Sequence, residues 1–256
     1  NVVKDIGNTR QQTVSGFEYA IGGSGADTFA GNAANNKFTG GDDLGVTDVT
    51  SYSGVESRLT IDLISAGSAT VVGGAAVGTD TLIGIEKIVG GNLADTFRGL
   101  VAGFQLEGGD GADEVNFTAV TDAGQSITVD MAIDRVLWTT SGSNYTQTIT
   151  GIENATGGSG NDDTLRMGSG SAIVFGGAGQ DSLAFNAASS TGANTRFIAG
   201  DHARIDTDAN GSVVSFASTD TAASSGGNDT LSGGAGADSL DGGSGTDTVS
   251  YASSAE

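Results

Sequence analysis

A nine-residue unit, repeated along the chain, constrains its fold more than any other feature of the sequence. Residues 233–240 and 242–249 read GGAGADSL and GGSGTDTV, which fit the pattern Gly-Gly-x-Gly-x-Asp-x-apolar in full. The unit recurs, complete or slightly altered, at residues 22–29, 90–97, 108–115, 157–165 and 176–183. Self-similarity of this kind is typical of repeat architectures, in which each unit is stable only against its neighbours.

A longer period groups these units into four blocks. The blocks begin at aspartates separated by 68, 67 and 67 residues, namely Asp27, Asp95, Asp162 and Asp229. Because a flexible Gly/Ser linker would not keep this register over four copies, we expect the chain to be ordered. We predict one continuous domain over residues 1–256, with repeat blocks at about 17–84, 85–151, 152–218 and 219–256.

The repeat predicts an all-β fold, a parallel β-roll or β-solenoid. Six glycine-rich residues suit a tight turn, and three residues then suit a short strand with one apolar side chain pointing inward. Two units would complete a coil of 18 residues, and coils would stack about 4.8 Å apart. The less glycine-rich inserts between blocks predict irregular, longer coils.

One insert is expected to form a hairpin. Asn210-Gly211 suits a tight turn between strands at residues 197–198 and 213–216. The alternative is a calcium loop of the EF-hand type that begins at Asp206, but its twelfth position would be Ala217 instead of the required glutamate.

The net charge of −21, from 31 acidic and 10 basic residues, makes nucleic acid an unsuitable partner. Of the acids, 24 are aspartate and 7 are glutamate. Such a chain is either disordered or ordered by cations that cancel its self-repulsion, and the repeat favours the second alternative. No apolar run reaches the roughly 18 residues of a membrane span.

Calcium is the cation that the spacing indicates. Turns 18 residues apart stack on one edge of a roll, so pairs such as Asp95 and Asp113 would repel without a cation. Calcium accepts carboxylate and backbone carbonyl oxygens in a flexible shell. The chain has one histidine and no cysteine, which excludes an ordinary zinc or copper site. We predict several calcium ions, held by Asp27, Asp48, Asp95, Asp113, Asp162, Asp181, Asp229, Asp238 and Asp247 with Gly22, Gly90, Gly108, Gly157, Gly176, Gly233 and Gly242.

The middle turn of each block would lie on the opposite edge and is often degraded. Asn36 replaces the aspartate in the first block, Phe104 in the second and the region near Ala172 in the third. Only the fourth block keeps an aspartate at this position, Asp238. Four further aspartates are either auxiliary ligands or solvated charges: Asp42, Asp43, Asp110 and Asp163.

The sequence contains no recognisable active site. The motifs His-Glu-x-x-His and Gly-x-Ser-x-Gly are absent, and His202 is the only histidine. The paired acids fall in the calcium register, so metal ligation explains them better than glycosidic chemistry does. Trp138 and Tyr145 either pack inward from a strand or form an exposed contact patch, which would suit cell-surface glycans.

On these motifs, the chain resembles the hemolysin-type calcium-binding (RTX) repeat proteins. The stretch from residue 51 to residue 86 is similar to the long-insert repeats of large secreted members, and residues 199–202 with the following hairpin are similar to an insert of such arrays. The resemblance implies type I secretion and folding upon contact with millimolar external calcium. The degraded middle turns of the first two blocks depart from the family pattern.

The two ends of the sequence fit each other in the repeat register. If Glu256 were followed by a second Asn1, Tyr251 would precede Asp5 by 10 residues, as Tyr52 precedes Asp62. We therefore expect an excised piece of a tandem array, or separate copies that stack head to tail in a filament. The predicted function is a secreted, non-enzymatic calcium-binding structural solenoid of a fibre, surface layer or giant adhesin. The alternative is a folding and secretion module of a type I-secreted enzyme or toxin.

Overall fold

A computed structural model describes residues 2–4, 17–41, 45–121, 125–140, 142–159, 162–168, 173–185, 196–201, 203–207, 213–218, 227–233 and 238–250. The regular elements of these residues are all β-strands, and the strands of successive coils pair mainly in parallel. The predicted all-β roll is therefore confirmed. Within the described residues, no helix has the length and apolar character needed to cross a membrane.

The strands are short, as the three-residue strand of the repeat requires. In chain order they are β1 (Val2–Lys4), β2 (Tyr19–Ile21), β3 (Thr28–Phe29), β4 (Lys37–Thr39), β5 (Val49–Ser51), β6 (Thr60–Ser65), β7 (Ser68–Gly74), β8 (Gly78–Ile83), β9 (Lys87–Val89), β10 (Thr96–Arg98), β11 (Gln105–Glu107), β12 (Glu114–Asn116), β13 (Ile127–Asp130), β14 (Arg135–Thr140), β15 (Ser143–Thr150), β16 (Asn154–Thr156), β17 (Thr164–Met167), β18 (Ile173–Phe175), β19 (Ser182–Phe185), β20 (Arg196–Ala199), β21 (Ala203–Thr207), β22 (Val213–Ser218), β23 (Thr230–Ser232), β24 (Asp238–Asp241) and β25 (Thr248–Val249).

The chain divides into two compact units, Asn1–Glu114 with Gln147–Ile152 and Val115–Thr146 with Glu153–Glu256. The first unit has one sheet with the order β1-β2-β4-β8-β7-β6-β10 and a second with the order β3-β5-β9-β11. Each coil gives a strand to both sheets, and the apolar positions of successive coils stand opposite each other, as Ala20 does to Phe38. Phe38 also stacks on Phe29 across the core, with 5.3 Å between ring centroids.

The long insert of the first unit forms an antiparallel meander, β6-β7-β8, which widens one of the two sheets. Its last strand, β8, pairs in parallel with β4 of the coil before it, and its first strand, β6, pairs in parallel with β10 of the coil after it. The order of the meander strands along the chain is therefore opposite to the order of the coils, because the first strand joins the later coil and the last strand joins the earlier one. Ile61, Ala69 and Val71 are fully buried on its inner face.

The second unit has one sheet with the order β16-β18-β20-β24 and another with the order β25-β23-β19-β17-β13-β14. A column of paired apolar side chains runs through the second of these sheets: Val129, Leu165, Leu183 and Leu231. All four side chains are buried. These four strands bear out the prediction of one inward apolar residue per strand, whereas Val249 of β25 is 41% exposed.

The predicted hairpin is present, but its first strand was wrong. The strands that pair are β21 and β22, residues 203–207 with 213–218, whereas Phe197 and Ile198 belong to β20 of the parallel sheet. Phe197 and Ile198 pair with Ser239 and Leu240 because they keep the register of the roll. Asp206 lies in a strand opposite Ser215, which supports the hairpin over a calcium loop at this position.

Candidate metal centre

The aspartate that ends each glycine-rich turn joins two coils through its carboxylate. In Asp95, Oδ2 accepts the N–H of Gly91 from its own turn at 2.6 Å, and Oδ1 accepts the N–H of Leu59 from the preceding coil at 2.7 Å. The N–H of Asp95 in turn donates to Oδ1 of Asp113 at 2.7 Å. We call such a series a carboxylate ladder. Because these hydrogen bonds fix the carboxylates, the charges are held in place when the turns stack.

The first unit has a ladder on each edge. On one edge, Asp27 donates its N–H to Asp48 at 2.8 Å, and Asp48 donates to Oε2 of Glu86 at 2.9 Å. Asp95 and Asp113 form the ladder on the other edge. The predicted stacked pairs are thus adjacent in the structure. The sequence pattern missed the role of Glu86, although its motif Gly-x-Glu was the available signal.

The degraded middle turn of the first block is completed by Asp80, which the sequence analysis missed. Asn36 donates its N–H to Asp80 Oδ1 at 2.7 Å, and the hydroxyl of Tyr52 donates to Asp80 Oδ2 at 3.0 Å. Burial raises the pKa of the Asp80 carboxyl. In the second block, Phe104 is 1% exposed and fills the turn with an apolar ring. Neither turn presents two stacked aspartates.

The second unit has a longer ladder that consists of Asp163, Asp181, Asp229 and Asp247. The N–H of each residue donates to Oδ1 of the next, at 2.8, 2.6 and 3.0 Å in that order. The repeat predicted the pairs within a block, whereas the hydrogen bond from Asp181 to Asp229 also joins the third block to the fourth.

The ladder position predicted for Asp162 is occupied by Asp163. Thr164 pairs with Ser182, and this register places Asp163, rather than Asp162, opposite Asp181. The additional residue of this repeat therefore lies before Asp163 in the chain. Asp162 is exposed, and its Oδ1 accepts the N–H of Gln180 at 3.0 Å.

The turn that ends at Asp229 is divided by an insert. A Cβ atom on Gly200 would collide with Asp229 Oδ2, so Gly200 holds the place that the first glycine holds in an uninterrupted turn. The hairpin β21–β22 lies between the two parts in the chain. Asp201 is 0% exposed, and its Oδ2 accepts the N–H of Ser244 at 2.6 Å. The nonapeptide motif did not indicate Asp201 as a ligand, because the insert interrupts the motif at this point.

The first glycine of a turn lies against oxygen atoms that leave no room for a side chain. A Cβ on Gly22 would collide with Asp27 Oδ2 and with the carbonyl oxygen of Gly40 in the next coil. The same two kinds of oxygen face the other predicted first glycines of these turns, namely Gly90, Gly108, Gly157 and Gly176. Gly242 lies against Asp247 Oδ2. The first five of these turns therefore each present a carboxylate oxygen and a glycine carbonyl oxygen to the same small space.

Burial makes the ionised ladder unfavourable without a counter-charge. Burial and the neighbouring aspartates raise the pKa of Asp181 to about 8, and burial raises the pKa values of Asp163 and Asp229 to about 6. Among the described residues of the second unit, four buried carboxylate oxygens also lack a hydrogen-bond partner: Asp181 Oδ2, Asp201 Oδ1, Asp229 Oδ2 and Asp238 Oδ1, of which the last lies 3.6 Å from Arg196. A cation would satisfy these atoms and lower the cost of ionisation.

The donors fit a hard cation that accepts many oxygens. Among the described residues, no group of three or more His, Cys, Asp or Glu side chains converges on one point. Backbone carbonyls would therefore complete any shell that two stacked carboxylates begin, and calcium is the biological cation that tolerates such a shell. Asp238 and Gly233 differ from the other predicted ligands, because they contact the buried side chain of Arg196.

The other residues that the sequence indicated as possible ligands or contacts differ in their exposure. Asp110 is exposed and belongs to a turn whose ladder residue is Asp113, so it is a solvated charge. Trp138 is 6% exposed and packs inward, while Tyr145 stacks on it at 5.7 Å and keeps 38% of its surface exposed. Five further residues lie outside the described part of the chain: Asp42, Asp43, Ala172, His202 and Tyr251.

Comparison with known proteins agrees with this geometry. The family model for the RTX calcium-binding nonapeptide repeat matches four copies, over residues 13–43 and 216–249. The first segment contains Asp27, and the second contains Asp229, Asp238 and Asp247. A search of curated proteins gives no match. The family resemblance and the predicted cofactor are confirmed, since repeats of this kind bind several calcium ions.

Proposed function

We propose that this chain, whose repeats are RTX calcium-binding nonapeptides, is a secreted, non-enzymatic structural β-roll that calcium holds in its wound form. The observation that carries the proposal is the ladder Asp163-Asp181-Asp229-Asp247, whose first three residues are buried and in which carboxylate oxygens without hydrogen bonds face stacked glycine turns. A rigid scaffold of repeated acidic turns suits a structural role because its charged side chains are occupied in joining coils.

The proposed ligands are the ladder carboxylates together with the carbonyl oxygens of the turn glycines. They are Asp27, Asp48, Asp95, Asp113, Asp163, Asp181, Asp229 and Asp247, with Gly22, Gly90, Gly108, Gly157, Gly176 and Gly242. When bound, calcium supplies the positive charge that offsets the repulsion between stacked carboxylates. The backbone N–H groups orient the carboxylates, and the glycines give carbonyl oxygens access to the space between turns.

We further propose that the roll is one unit of an extended assembly, either a covalent tandem array in a giant adhesin or a filament or surface layer of stacked copies. Support comes from the construction of the roll, because each coil pairs only with the coils beside it and further coils can be added by the same pairing. Tyr145, whose ring is partly exposed beside Trp138, is the proposed contact for a cell-surface glycan.

A second candidate is a folding and secretion module of a type I-secreted enzyme or toxin. The same buried ladder favours it, since a roll that winds only with calcium would stay unfolded in the calcium-poor cytoplasm and fold outside. Electron microscopy of the purified chain in calcium tests the filament form of the first function. Particles of indefinite length support the filament, whereas monomers that remain single at high concentration exclude stacking of separate copies.

Removal of calcium tests the proposed function directly. We expect far-ultraviolet circular dichroism to lose its β signal when a chelator is added to the calcium-loaded protein, and to regain it when calcium is restored in excess. Magnesium at the same concentration serves as the control and should restore little signal, because it prefers a stricter octahedral shell. A spectrum that chelation leaves unchanged would refute the role of calcium.

A further inference from the structure

Arg196 is a buried cation inside the second unit. It is the first residue of β20 and is 1% exposed, which is rare for an arginine unless its charge is paired. Its guanidinium carbon lies 4.8 Å from the centre of the Phe185 ring, a distance suited to a cation–π contact. The side chain is therefore held from one side by an aromatic face.

The other contacts of Arg196 are the two groups that a calcium-binding turn would offer. Its Nη1 donates a hydrogen bond to the carbonyl oxygen of Gly233 at 2.8 Å and lies 3.6 Å from Asp238 Oδ1. Gly233 is the first glycine of the turn that Asp238 ends, and a Cβ on Gly233 would collide with the Asp238 carboxylate. This pair corresponds to Gly176 and Asp181 in the calcium-type turns.

The register explains why an arginine reaches this position. Arg196 and Asp238 are direct partners between β20 and β24, and Ile198 is the partner of Leu240. In the pattern Asp-x-apolar, Arg196 therefore occupies the aspartate position one coil before Asp238. A calcium-type ladder would have two carboxylates stacked here, whereas this edge has a guanidinium stacked on a carboxylate. The charge that a metal ion would neutralise is already neutralised.

We infer that the turn of Gly233 and Asp238 uses the Arg196 guanidinium as its cation and binds no calcium ion. A guanidinium stays charged at every pH at which the protein folds, and its planar shape suits both the carboxylate and the Phe185 ring. The second unit then has one edge held by calcium, at Asp163, Asp181, Asp229 and Asp247, and an opposite edge held by a permanent internal cation. The inference rests on the proposed calcium role, which the chelation experiment tests by itself.

Counting bound calcium ions tests the inference. Native mass spectrometry and calorimetric titration would compare the wild type with Asp238→Asn and with Asp229→Asn. We expect Asp238→Asn to bind as many calcium ions as the wild type and Asp229→Asn to lose at least one. Loss of an ion from Asp238→Asn would overturn the inference.

The arginine itself provides the complementary test. Arg196→Asp removes the internal cation and supplies the second stacked carboxylate of a calcium-type ladder, so we expect this variant to bind one calcium ion more than the wild type. Arg166→Asp is the matched control, because Arg166 pairs with Asp130 at 3.5 Å and has a side chain that is 63% exposed. Arg166→Asp should bind the wild-type number. An unchanged number in folded Arg196→Asp would contradict the inference, and if that variant does not fold, the result with Asp238→Asn decides.

Discussion

Adjacent aspartates in one turn have different environments. The carboxylate of Asp163 accepts N–H groups from Gly158 and Ile127, at 2.7 and 2.8 Å, and is 1% exposed. Asp162 points to solvent and accepts one N–H group. A buried acceptor that serves two turns contributes to stability through both hydrogen bonds, and its removal leaves buried donors unsatisfied.

We predict that Asp163→Ala lowers the free energy of unfolding by about 1–3 kcal/mol in the presence of calcium, because two buried N–H groups lose their acceptor. Asp162→Ala should change it by less than about 0.5 kcal/mol, as expected for an exposed position. Urea denaturation monitored by circular dichroism measures both values. Equal effects of the two substitutions would contradict the ladder assignment.

Spacing along the sequence identifies some ladder aspartates, and strand pairing decides the others. Asp95 and Asp229 could be placed because each lies 18 residues before its ladder partner. Asp163 could not be chosen over Asp162 by spacing alone, since the pairing of Thr164 with Ser182 decides it. Arg196 gave no signal, because the motif shows where an aspartate is missing but not which side chain reaches its place.

At the scale of the structural element, the turns and meanders behave differently. The turns were predictable because glycine and aspartate determine them locally. The meander β6-β7-β8 was not predictable, since its less glycine-rich sequence indicated only an irregular, longer coil. Its order depends on long-range pairing, in which β6 joins the later coil and β8 the earlier one. Hairpin β21–β22 was predicted from its turn, but the boundary of its first strand required the register of β20.

Two glycines of the same turn, Gly22 and Gly25, allow the close approach of stacked turns to be tested. Gly22→Ala would place a Cβ onto Asp27 Oδ2 and the Gly40 carbonyl oxygen, and neither is free to move because both belong to stacked turns. We expect a loss of about 1–3 kcal/mol in the free energy of unfolding, as for other overpacked positions. Gly25 lies in the same turn, and a Cβ there would meet open space.

Gly25→Ala is therefore the matched control, and it should be neutral or slightly stabilising, by up to about 1 kcal/mol, through the unfolded state. Chemical denaturation in calcium compares the two variants. If Gly22→Ala were tolerated as well as Gly25→Ala, close approach of the stacked turns would not explain the first glycine of the repeat.

At the scale of the whole molecule, we expect the net charge of −21 and the ladders to couple folding to both calcium and protons. Without calcium, folding requires buried carboxylates to bind protons, because the pKa of Asp181 rises to about 8 and those of Asp163 and Asp229 rise to about 6, from an ordinary value of 3.8. The folded state then binds more protons than the unfolded state between pH 3.8 and about 8. Stability without calcium must therefore increase as the pH falls through this range.

With calcium the direction reverses, because the ion binds ionised carboxylates and protons compete with it. We predict that the β signal lost in chelator returns in part when the pH is lowered from 8 to about 5, and that in excess calcium the midpoint of thermal unfolding falls over the same range. Circular dichroism spectra in chelator and thermal melts in excess calcium, each at several pH values, measure the two trends. Opposite trends support the ladder as the place where both calcium and protons bind, whereas a β signal in chelator that does not change with pH would mean that they do not share the same carboxylates.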